Sequence, residues 1–103
     1  MSRVETYKGF IEAILGRSLN NSRKREDVAG RMCIAYQLRT DGYSTSEIGK
    51  MVGRDHATIL YLCKQMEVCI AYPTSYRSEY DMWEEFQNML NLNIVRNGTE
   101  TNR

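Results

Sequence analysis

The chain has 103 residues, 42% of them hydrophobic and 26% charged, the balance of one ordinary globular domain. No stretch approaches the roughly 20 apolar residues of a membrane span, and the charged start Met1-Ser2-Arg3-Val4-Glu5 lacks the apolar run of a signal peptide, so a cytoplasmic protein is expected. The net charge of +1 hides an asymmetry: residues 1–64 carry 11 Lys and Arg against 7 Asp and Glu, a net of +4, whereas residues 65–103 carry 3 against 6, a net of −3.

Almost everything before residue 93 has helical periodicity, and alternating β-branched runs are absent. A first helix is predicted over residues 4–15, with Val4, Tyr7, Ile11 and Ile14 on one stripe and Gly16 ending it. The polar residues 17–25 form a connection. A second helix starts at Glu26 or Asp27 and runs to about Leu38, burying Val28, Met32, Ala35 and Leu38; Asp41-Gly42 is a turn signal. Ser44-Thr45-Ser46-Glu47 has the spacing of a capping box and opens a short third helix carrying Ile48, Met51 and Val52, which Gly53 breaks. A fourth helix begins near Asp55 with the stripe Ile59, Leu62, Cys63, Met66 and Ile70, and Pro73 closes it. A last helix over residues 79–92 places Tyr80, Trp83, Phe86 and Leu90 near one face.

Two side-chain sets invite a catalytic or metal reading. Cys33, Cys63 and Cys69 are an odd number with no CxxC pair, and Cys63 and Cys69, six residues apart, point about 120° away from one another on a helix. The cysteines are read as small buried hydrophobes, and neither a metal nor a cofactor is expected. His56 is the sole histidine; adjacent Asp55 cannot face it from the next position on a helix. An enzyme is not expected.

The third and fourth helices meet the spacing of a helix-turn-helix. Gly49 stands where the two helices approach, Gly53 four residues later supplies the turn, and Ile59 and Leu62 can face the first helix of the pair. The start of the second helix then points outward: Asp55, His56, Ala57 and Thr58, with Tyr61 one turn further and Arg54 and Lys50 beside them. Arg, Lys, His, Thr and Asp suit base edges and phosphates, an Ala or Thr methyl can pack on the thymine methyl, and a helix N-terminus favours phosphate.

Glu47-Ile48-Gly49 followed by Gly53-Arg54-Asp55-His56-Ala57-Thr58-Ile59-Leu60 resembles the signature of the C-terminal DNA-binding domain of DnaA, the bacterial replication initiator. Upstream, Ser22-Arg23-Lys24-Arg25-Glu26, then Val28 and Arg31, is similar to the basic stretch leading into that domain's longer helix. The resemblance implies major-groove base contacts for Asp55, His56 and Ala57, with Arg54 and Thr58 beside them. It implies phosphate or minor-groove contacts for Arg23, Lys24 and Arg25. Ala57 stands where the family usually has Ser or Thr, so a methyl contact replaces a hydrogen bond. No G-x-x-x-x-G-K-[ST] phosphate loop occurs in these residues, so a stand-alone reader without the initiator's ATPase, of a kind suited to a phage or mobile element, is expected.

The resulting expectation is an all-α bundle of about five helices in one domain over residues 1–92, with a disordered tail over 93–103. Its function is sequence-specific binding of double-stranded DNA, as a monomer or weak dimer, in replication or transcription. The alternative is an interaction module that keeps the helix-turn-helix as scaffold and docks a protein partner. That alternative requires Arg54 and His56 to be buried or paired with acids.

Overall fold

In the computed structural model, residues 2–101 are described, with side chains from residue 2 to residue 93. Five helices follow in order: α1 (Arg3–Leu15), α2 (Arg25–Thr40), α3 (Thr45–Val52), α4 (His56–Ala71) and α5 (Arg77–Thr101). The fold is all-α, and α2 packs against each of the other four helices.

The helix ends follow from short-range chemistry. Ser2 and Glu5 form a capping box at α1, in which the Ser2 hydroxyl accepts from the Glu5 N–H and Glu5 accepts from the Ser2 N–H. Ser44 and Glu47 repeat the device at α3, as their spacing predicts. Asp55 caps α4 by accepting the Thr58 N–H at 2.7 Å, so α4 starts one residue after it. The α2 start lies at Arg25, just before the expected Glu26 or Asp27, and α5 runs beyond the expected end at Leu92. The tail expected over 93–103 falls largely on residues whose side chains lie outside those described.

The core gathers one stripe from each helix. Ile11 of α1, Leu38 of α2, Ile48 of α3, Ile59 and Met66 of α4 and Phe86 of α5 are wholly buried. Tyr7 and Phe86 meet edge to face with centroids 5.5 Å apart, and Tyr36 meets Trp83 similarly at 5.3 Å, which seats α5 on α1 and α2. All three cysteines are buried and free. Val28, expected in the core, is half-buried, and three further positions depart from the expected stripes. Met51 is 36% exposed, because the eight-residue α3 buries only Ile48 and Gly49. On α5, Met82 joins the core with Phe86 and Leu90, whereas Tyr80 stays outside it, since the i, i+4 row through Phe86 contains 82 and 90.

The α3–α4 pair rests on glycine twice. Gly53 ends α3 in left-handed backbone (φ 75°, ψ 37°), and its N–H donates to the Gly49 carbonyl. Arg54 N–H reaches the same carbonyl at 2.8 Å. A Cβ on Gly49 would collide with the Arg54 carbonyl oxygen, a backbone atom that cannot step aside. Gly49→Ala is expected to lower unfolding free energy by about 1–3 kcal/mol, the range for overpacking, read as a lower urea midpoint. Wild-type stability in that variant would contradict the close approach.

Candidate nucleic-acid interface

The first turn of α4 stands clear of the core. His56 and Ala57 are exposed, Thr58 is half-buried, and Leu60 and Tyr61 follow on the outer face, Tyr61 at 60% exposure. Beneath them Ile59, Leu62, Cys63 and Met66 anchor the helix, so the outward set is held on a fixed scaffold. Asp55 divides its role: one carboxylate oxygen caps α4, and that hydrogen bond holds the group below the usual carboxylate range, so it stays charged beside His56. Lys50 is exposed in the last turn of α3.

Arg54 is half-buried and points back, its guanidinium donating to the side-chain oxygen of Asn21. Among the described residues it pairs with no acid. The connection between α1 and α2 is thereby tied to the turn of the helix-turn-helix. Arg31 reinforces it from α2, donating to the carbonyls of Asn20 at 2.9 Å and Ser22 at 2.7 Å.

The connection is pinned from inside by Asp27, a carboxylate with no exposed surface. It accepts from the Arg17 guanidinium at 2.8 Å, the Asn20 N–H at 3.2 Å and the Ser22 hydroxyl at 2.5 Å. These donors, Arg17 first and then Ser22, hold its carboxyl far below the usual range despite burial. Ser22 in turn accepts the Lys24 N–H at 3.1 Å, which stands in for a cap at the start of α2.

The three basic residues expected to act together part company. Arg23 and Lys24 are exposed and form no ion pair among the described residues. Arg25 makes a forked pair with Glu79 of α5, Nε to Oε2 at 2.6 Å and Nη2 to Oε1 at 3.2 Å. The pair ties α2 to α5, while the Arg25 side chain stays 64% exposed. The sequence reading also missed Asn21 and Asp27 and quoted Arg31 without giving it a contact. Only Arg31 left a signal, its place in the basic stretch; the others depend on how the connection folds.

Comparison with known proteins finds two similar chains. Over 79 residues, 75% of this chain, it is 38% identical to the chromosomal replication initiator protein DnaA of Bacteroides fragilis. Over 72 residues it is 39% identical to the DnaA of Bacteroides thetaiotaomicron, covering 67% of this chain. The chain is DnaA-like. It spans 16% and 14% of the length of these two relatives, so the likeness is to a segment, and the all-α fold agrees with the C-terminal domain that the motif resembles. No family model and no solved structure matches.

The buried carboxylate gives this DnaA-like segment a defined acid sensitivity. Because the folded pKa of Asp27 lies below its unfolded value near 3.9, its stabilisation is complete above about pH 4 and fades as pH falls toward the folded value. Asp27→Asn is expected to lower the urea midpoint at pH 7, and the gap to wild type should narrow below about pH 4. A gap that stays constant through that range would show that the carboxylate's charge contributes nothing.

Proposed function

We propose that this protein binds double-stranded DNA sequence-specifically through the helix-turn-helix of α3 and α4, as a DnaA-like accessory of replication initiation or a regulator of transcription. The observation that carries this reading is the exposed start of α4, where His56 and Ala57 stand free on a rigid support in a segment similar to DnaA. His56, the free oxygen of Asp55 and Thr58 read base edges in the major groove, and the Ala57 methyl packs on a thymine methyl. Tyr61 lies one turn along the same outer face. Lys50, Arg54, Arg23 and Lys24 set the register on phosphates, with Arg25 beside them sharing its charge with Glu79.

The role is binding rather than chemistry, and a cytoplasmic location follows from it. A partner-docking scaffold fits less well, since it requires His56 and Arg54 buried or acid-paired. His56 is exposed and Arg54 bonds an amide.

Selection from a random duplex pool at moderate salt, run with wild type and His56→Ala, tests this reading. Wild type should enrich a short motif, and the variant should bind that motif roughly 5–150-fold more weakly, the equivalent of about 1–3 kcal/mol for one good base contact. Affinity should also drop steeply with added salt. If nothing is enriched, or His56→Ala selects the same motif as tightly, the proposal fails.

A further inference from the structure

An open cleft of about 310 Å³ lies between α1, the α1–α2 connection, α2 and the α3–α4 pair. Its size is at the lower end of the roughly 300–1,000 Å³ of small-molecule sites. The floor is apolar: Val4, Leu19, Ile34, Val52 and Leu62. The rim is cationic, with Lys8, Arg31 and Arg54 beside the amides of Asn20 and Asn21, and no carboxylate among the described residues lines it.

Among the described residues no salt bridge reaches Lys8, Arg31 or Arg54. Arg31 is engaged by two carbonyls and Arg54 by an amide oxygen, so each guanidinium keeps N–H groups to spare. Burial, and then the nearby charge of Arg54, push the Arg31 guanidinium below its ordinary pKa. Asp27, the nearest acid to Arg31 by its effect on that group, is consumed by Arg17, Asn20 and Ser22. An anion between the two guanidiniums relieves their repulsion. A bare phosphate satisfies the rim but leaves the floor wet, whereas a ligand with an apolar stem fills both.

We propose that the cleft binds a small amphiphilic anion, a medium-chain carboxylate whose head meets Arg31, Arg54 and Lys8 and whose stem lies on the apolar floor. Because Arg54 borders both this cleft and the turn before α4, the ligand competes with DNA phosphate for it. That consequence rests on the proposed function; the binding itself does not.

The test uses the 103-residue chain without DNA. Backbone amide shifts are followed while butanoate, hexanoate and octanoate are added, with octanol and inorganic phosphate as separate probes. Octanoate is expected to shift the amides of Val4, Ile34 and Val52 saturably, with affinity rising up to roughly fourfold per buried methylene along the series. Arg54→Gln, and independently Lys8→Gln at an exposed residue outside the hydrogen-bond network, should each weaken octanoate roughly tenfold while leaving the remaining spectrum folded. The proposal is overturned by no saturable shift, by equal affinity along the series, by phosphate or octanol matching octanoate, or by variants that bind as wild type does. None of these outcomes touches the DNA reading, which duplex selection decides separately.

Discussion

The carbonyl of Arg54 lies where any side chain at residue 49 would have to be, and the geometry of the α3–α4 pair descends from that contact. With Gly49 bare, its carbonyl can receive both the Gly53 and Arg54 N–H groups. The chain then reverses within residues 53–55, and Asp55 can start α4 at once. Ile48 and Ile59 are both wholly buried, and α3 and α4 each pack on α2. The outward turn of α4 is thus presented by a scaffold whose tightness comes from the lack of a side chain at residue 49.

A second constraint comes from a charge inside the protein. Asp27 has no exposed surface, yet each of its oxygens is satisfied by a donor from the connection it organises. Burying a carboxylate without partners is severely unfavourable, so the connection has one arrangement in which Arg17, Asn20 and Ser22 all converge. From that arrangement Asn21 meets Arg54, Arg31 meets two carbonyls, and the exposed Arg23 and Lys24 emerge beside the start of α2. Glu79 adds the remaining tie by holding Arg25 to α5. The cations at this end of the molecule are therefore divided: Arg17, Arg25 and Arg31 are committed to contacts within the fold, whereas Arg23 and Lys24 stay exposed.

How much of this was legible beforehand depended on the range of the interactions. Capping at Ser44 and Glu47, the turn at Gly53 and the apolar stripe of α4 are set within a few residues, and the spacing alone located them. The same local chemistry was present but unread at Ser2 and Glu5. Asp27 looked like an ordinary acid in the first turn of a helix, because the groups that bury it come from a connection whose path no local rule fixes. Arg25 looked like its neighbours Arg23 and Lys24, because the acid that captures it lies 54 residues away. Met51 carried an apolar label, but it borders the open cleft and is not in the core. Residue types at the site were thus readable, whereas the division of cations between scaffold and surface required the tertiary structure.

The central claim is that duplex DNA meets the start of α4 together with the α1–α2 connection. Hydrogen exchange of the chain, free and bound to the duplex it selects, addresses that claim most directly. The account predicts slowed exchange at residues 55–61 and 20–24, with residues 79–90 of α5 unchanged. Protection concentrated on α5, with none at the start of α4, would contradict it.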